Sequence, residues 1–167
     1  MIFNQLFDDI SSTYTYIIAS DRGREALIID PVLEKTDEYL NILKKLDLKL
    51  VKVIDTHIHA DHITGLNELG KRTNCTKIMG EQSKSEVVDL KVKEDDKIEI
   101  DKIELKTIYT PGHTDCSYSF LMNDRVFTGD TLLINGTGRT DFQNGSAKTQ
   151  YDSLFNKLLK LPEKTIV

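Results

Sequence analysis

The chain has 167 residues, 22 of them basic and 27 acidic, for a formal net charge of −5. That length suits a single domain with its own core, and 39% hydrophobic with 29% charged residues excludes both a disordered acidic tail and a series of membrane spans. The acidic balance argues against a nucleic-acid or anionic-membrane surface, whose footprints are basic and clustered. Two cysteines, Cys75 and Cys116, are too few for a disulfide framework, and Met1–Gln5 has no basic leader ahead of an apolar run. Both features lead us to expect a reduced, cytoplasmic protein.

Thr13–Ile18 is β-branched and aromatic and predicts a strand. Asp21–Arg24 is a turn, and Ala26–Ile29, closed by Asp30 and Pro31, predicts the second strand of a hairpin. The pattern becomes helical over Thr36–Leu46, through Leu40, Leu43 and Ile42 or Leu46. Asp37 and Glu38 open that helix and Lys44 and Lys45 close it, as the macrodipole favours. Leu50–Asp55 predicts a strand, Thr64–Thr73 a short helix, and Lys77–Met79 a brief strand. Ile98 and Ile100 alternate with charges, as do Ile103 and Leu105, which predicts a second hairpin around Asp101 and Lys102. Tyr118–Met122 and Arg125–Phe127 form a third pair across Asn123 and Asp124. Ser146 then caps a helix with an apolar stripe of Tyr151, Leu154, Phe155 and Leu158, ended by Pro162. Thr165–Val167 reads as the opening of a strand, so the chain is expected to stop in mid-element.

Three of the four histidines fall within Thr56–His62, an H-x-H-x-D-H arrangement directly after a strand. Alternate residues of extended backbone point the same way, so His57, His59 and Asp61 can converge, and His62 can face the same hollow from the next turn. Neutral imidazoles and a carboxylate suit zinc, iron or manganese. His113 follows another strand after a Pro-Gly turn, and Asp130 follows Arg125–Phe127, so three strands each end in a candidate ligand. Asp130 alone would also read as a turn residue after Gly129. Arg139, in Asn135–Gln143, could clamp a carboxylate with its planar fork or be an ordinary solvated side chain. Cys116 reads as a small buried thiol, since no fifth histidine remains to activate it.

Together Thr56–His62, Thr110–Thr114 and Phe127–Asp130 resemble the metal motifs of the metallo-β-lactamase superfamily. Within it, His59–Gly65 and Thr128–Gly145 are most similar to the persulfide dioxygenase (sulfur dioxygenase) branch. The resemblance implies an α+β fold, the αββα sandwich of two mixed sheets flanked by helices. One domain over residues 1–167 is expected, incomplete at the C-terminal end and lacking a further histidine loop.

The resemblance also implies a non-haem Fe(II) dioxygenase that oxidises glutathione persulfide with O2 to sulfite and glutathione. One Fe(II) per chain would be held by His57, His113 and Asp130, with zinc able to replace it in purified material. His59, Asp61 and His62 would support the ligands without touching the iron, or would be ligands of a second metal, and Arg139 would bind substrate. Asp115 and Cys116 stand where the family usually has small residues, which alters the pocket wall. No nucleic-acid or membrane partner is expected, and a homo-oligomer is compatible with the resemblance. The alternatives are a zinc-dependent thioester hydrolase of the hydroxyacylglutathione hydrolase type and an inactive metal-binding fragment.

Overall fold

The structure is a computed structural model that describes residues 1–167. Strand β1 (Ile2–Asp8) pairs antiparallel with β2 (Thr13–Ala19), which pairs antiparallel with β3 (Glu25–Ile29), the predicted hairpin. Strand β1 itself was not legible. Its apolar residues come as adjacent pairs, Ile2-Phe3 and Leu6-Phe7, and it lies half-buried at a sheet edge, where alternation is weak. Helix α1 (Thr36–Lys45) crosses to β4 (Lys49–Ile54), and α2 (Leu66–Thr73) crosses to β5 (Thr76–Gly80). A short strand β6 (Leu90–Val92), also unpredicted, completes a six-stranded sheet in the order β1-β2-β3-β4-β5-β6, parallel from β3 onward.

The second sheet contains β7 (Lys97–Ile100), β8 (Ile103–Tyr109), β9 (Tyr118–Met122) and β10 (Arg125–Phe127), in the order β10-β9-β8-β7. These four run antiparallel, and Ile166 adds a parallel bridge to Arg125 at the β10 edge.

The central strands β3, β4 and β5 of the first sheet are buried on both faces over their C-terminal halves, which is why they read as continuous apolar runs. Ile18, Leu27, Ile29, Ile54 and Ile78 face Leu105, Tyr118 and Phe120 of the second sheet. Ile17, Ile28 and Val53 face the other way, against Tyr39 and Leu43 of α1 and Leu66 and Leu69 of α2. No helix is long and apolar enough to cross a membrane.

Ser146 caps α3 (Ala147–Asp152), its side chain accepting from Thr149 N, and the helix continues through a widened π turn over Ser153–Lys157. The buried face differs from the predicted stripe. Tyr151 and Phe155 are exposed and stack on each other, with centroids 4.4 Å apart. Of the stripe only Leu158 is buried and Leu154 is half-buried, while Gln150 and Ser153 are buried in place of the two aromatics. The reason is what the helix covers: Gln150 Nε2 donates to the Thr131 carbonyl at 2.7 Å, and Ser153 Oγ to the Pro111 carbonyl at 2.6 Å. Loop backbone needs donors, not aliphatic side chains.

Candidate metal centre

The C-terminal ends of β4, β8 and β10 lead to His57, His113 and Asp130. Tyr118 N donates to the Thr56 carbonyl at 2.9 Å, joining the two sheets beside the site. One ligand-capable atom from each of His57, His113 and Asp130 lies within 4.8 Å of the others.

Hydrogen bonds fix which imidazole nitrogens are bare. Thr56 Oγ1 donates its one proton to Asp30 Oδ2 at 2.8 Å, so toward His57 Nδ1, 2.9 Å away, it can only accept. His57 therefore carries its proton on Nδ1 and presents Nε2 as a lone pair. His113 Nδ1 lies 2.8 Å from the Arg139 carbonyl, which only accepts, so its Nε2 is bare as well. That atom faces Asp130 Oδ2 at 3.5 Å. Burial, with the neighbouring His59 and His113, holds His57 well below the ordinary imidazole range. Burial likewise raises the Asp130 carboxyl, against the opposing pull of His113 and His59.

A second group forms beside the first. Ligand-capable atoms of His59, Asp61 and His62 also lie within 4.8 Å of one another. His59 Nε2 is 3.2 Å from Asp30 Oδ1 and Nδ1 is 3.8 Å from Asp61 Oδ1. Asp61 Oδ2 accepts from Thr13 Oγ1 at 3.0 Å and lies 3.2 Å from His62 Nδ1. His62 Nε2 is buried without a hydrogen-bond partner, on a side chain only 4% exposed. In the first group, the bare Nε2 atoms of His57 and His113 with the half-buried Asp130 carboxylate form a donor set that fits a divalent transition metal.

Burial opposes protonation of His59, but the charge and hydrogen bond of Asp30, with Asp55 and Asp61, raise it to about 9. Burial pushes Asp61 up, yet the hydrogen bond from His62 and the charges of His62 and His59 hold it well below the usual carboxylate range.

Sequence reading missed four contributors. Asp30 accepts from Thr56 N at 2.7 Å, from Thr56 Oγ1 and from His59, orienting two of the imidazoles. The Asp-Pro strand ending concealed it; its own signal is the left-handed backbone, φ 50°. Asp55 is fully buried, accepts from Thr64 Oγ1 at 2.9 Å and is pushed by burial to about 7. Gly138 lets the Arg139 loop close on the site: a Cβ there would lie 2.4 Å from the Asp130 carbonyl oxygen and 2.7 Å from His113 Nδ1. Gly129, at φ +49°, does the same against Thr56 Oγ1.

Arg139 reaches the site through its backbone carbonyl. Its guanidinium is exposed and paired with Asp141 at 2.8 and 3.0 Å, above the Phe142 ring. Cys116 Sγ is buried and accepts from Ile58 N at 3.4 Å.

A family model described as the metallo-beta-lactamase superfamily matches residues 8–87 and 80–167. The chain is 41% identical to the mitochondrial persulfide dioxygenase ETHE1 of Mus musculus, over all of this chain and 66% of that protein. Hydroxyacylglutathione hydrolase of Buchnera aphidicola is 33% identical, over 95% of this chain and 61% of that protein. The crystal structure of ETHE1 from Myxococcus xanthus superposes with a TM-score of 0.95 at 48% identity, covering 98% of this chain and 72% of that one. The chain thus spans just under two thirds of the length of the curated relatives it matches.

Proposed function

The chain belongs to the metallo-beta-lactamase superfamily, and we propose that it is a non-haem Fe(II) dioxygenase that converts glutathione persulfide to sulfite and glutathione. The carrying observation is the group of His57, His113 and Asp130, two bare Nε2 atoms and one half-buried carboxylate on a single locus. A two-histidine, one-carboxylate face suits Fe(II) because it leaves positions open for both substrate sulfur and O2. Bound iron would supply the site at which O2 and the persulfide sulfur meet and would pass electrons from the sulfur, which is oxidised, to O2, with water completing the conversion to sulfite and glutathione.

The chain's own residues prepare that meeting. Asp30, through Thr56, keeps His57 in the ligating tautomer, and the Arg139 carbonyl does so for His113. Asp61 and His62, held by Thr13, would orient water at the mouth of the site. Similarity to persulfide dioxygenases over the whole chain supports the same reading. We place the reaction in the cytoplasm, with one metal per chain and one domain over residues 1–167.

One observation favours a second reading. The His59, Asp61 and His62 group, with its orphaned Nε2, could hold a second metal, as a zinc thioester hydrolase would need. The experiment is O2 uptake by anaerobically Fe(II)-loaded protein given glutathione persulfide, with His113→Ala as control. Uptake that disappears in the variant is the expected result. No uptake with iron bound, together with hydrolysis of S-lactoylglutathione by zinc-loaded protein, would favour the hydrolase.

A further inference from the structure

In the four residues that lead from the end of β8 to His113, every carbonyl accepts a hydrogen bond from a different element. Tyr109 O accepts from Lys157 Nζ at 2.6 Å and Thr110 O from Thr131 Oγ1 at 3.1 Å. Pro111 O accepts from Ser153 Oγ at 2.6 Å and Gly112 O from Ser146 N at 2.8 Å. Three of these donors belong to helix α3, its cap and its π turn. The same helix also reaches the other ligand loop, where Gln150 Nε2 donates to the carbonyl of Thr131, the residue after Asp130, at 2.7 Å. Ser146, Gln150, Ser153 and Lys157 are spaced by four, three and four residues, which places them on one helix face. Two metal-ligand loops therefore hang from one polar stripe.

Lys157 closes the far end of that stripe. Pairing of β7 with β8 ends at Lys106, so Tyr109 has no strand neighbour on that side. The Glu94–Lys157 ion pair, 2.8 Å across, stands in for the strand: Glu94 Oε2 accepts from Tyr109 N at 2.8 Å while Lys157 Nζ donates to Tyr109 O. The Lys157 ammonium also lies 5.6 Å from the centre of the Tyr109 ring, whose hydroxyl donates to the Asp115 carbonyl at 2.8 Å, on the far side of His113. Ser153 and Lys157 begin and end the widened π turn, a helix irregularity that recurs at functional sites.

We propose that Ser153 and Lys157 are positioning residues of the metal centre, which hold the His113 loop against the Asp130 loop and so set the 3.5 Å gap between His113 Nε2 and Asp130 Oδ2. The inference rests on the assignment above of those two side chains as metal ligands. Because the donors belong to one rigid element, losing one of them lets the His113 loop shift relative to Asp130. A metal site tolerates a shift of only about half an ångström before its geometry is lost.

The test follows Co(II) binding at the site that His113→Ala abolishes, in Ser153→Ala and Lys157→Met, with Asn156→Ala on the exposed face of the same helix as control. Each lost hydrogen bond should weaken Co(II) binding about five- to tenfold and alter the visible Co(II) absorption bands, while Asn156→Ala keeps the parental values. Melting temperatures with and without Co(II) separate positioning from packing: the rise that Co(II) gives should shrink in both variants. Parallel falls in melting temperature that leave this rise, the affinity and the bands at parental values would mean a structural role alone and overturn the proposal. Lys157 is half-buried at the helix surface, so its variant carries the test if Ser153→Ala does not fold. In the Fe(II)-loaded proteins kcat for glutathione persulfide should fall in both variants at unchanged KM. Weakened Co(II) binding in the variants of a parent that consumes no O2 would keep the positioning role and overturn the dioxygenase reading, whereas a parent that binds no Co(II) would overturn both.

Discussion

Asp30 Oδ1 lies 3.2 Å from His59 Nε2 while the same carboxylate accepts from both the backbone and the hydroxyl of Thr56. One buried side chain therefore sets two imidazoles, His59 directly and His57 through the single proton of Thr56. Replacing Asp30 by Asn puts an NH2 donor in this network. Where it faces Thr56 Oγ1, the hydroxyl proton turns toward His57 Nδ1 and the ring proton moves to Nε2. Metal affinity should fall about 10- to 100-fold, as is typical when a partner that orients a ligand is lost. Competition with a chelator, read by metal analysis of the protein, checks this; parental affinity in Asp30→Asn would show that the relay does not govern the site.

Gly138 is required by contact rather than by backbone angle. In Gly138→Ala the new Cβ meets the Asp130 carbonyl and His113 Nδ1, both far inside van der Waals distance, and the Arg139 carbonyl must withdraw from His113. We expect a loss of about 1–3 kcal/mol in stability, the usual cost of forced overpacking, and reduced metal content. Gly136→Ala is the control, because a Cβ there meets nothing within 4 Å. Equal melting temperatures and metal content in the two variants would refute the argument.

The metal-free protein should lose stability as pH rises from about 6.5 to 9. His59 is raised from 6.5 to about 9, so the folded chain holds this proton more tightly than the unfolded chain. That contribution is complete below pH 6.5 and is gone once pH has risen through 9. Urea midpoints across this range, with metal chelated, should fall in the parent and stay flatter in His59→Gln. Parallel curves for the two proteins would assign the decline elsewhere.

Helix α3 holds the ligand loops by polar contacts. Gln150→Leu leaves the buried Thr131 carbonyl without its donor and should destabilise by about 1–3 kcal/mol. Tyr151→Ala, on the exposed face, should stay within about 0.5 kcal/mol of the parent. Chemical denaturation of both separates the two faces, and the reverse order would restore the apolar stripe as the packing surface.

Strands β2 to β4, the two central hairpins, helix α1 and the grouping of His57, His113 and Asp130 at strand ends were legible in the sequence. Each rests on a signal carried by neighbouring residues: β-branched runs, alternation about a polar turn, helical spacing, and histidines crowded just past a strand end. His57–His62 is nevertheless a run of bends and not the expected extended backbone, so His57 joins His113 and Asp130 while His59, Asp61 and His62 group apart. The half-buried edge strand β1 lacked such a signal, because both of its faces pack in part, Phe3 toward the second sheet and Ile2 and Leu6 toward the helices, so apolar residues fall side by side instead of alternating. The buried face of α3 was misread for a related reason. Its apolar residues mark a stripe by spacing, but the surface it covers is loop backbone, and only the fold brings Pro111 and Thr131 under it. Tertiary structure alone also decided which nitrogen of each histidine is free. That choice belongs to Asp30 and Thr56 for His57, 27 and 1 residues away in the chain, and to the Arg139 carbonyl for His113, 26 residues away. Asp30 arrives by the pairing of β3 with β4, and Arg139 by the loop after β10.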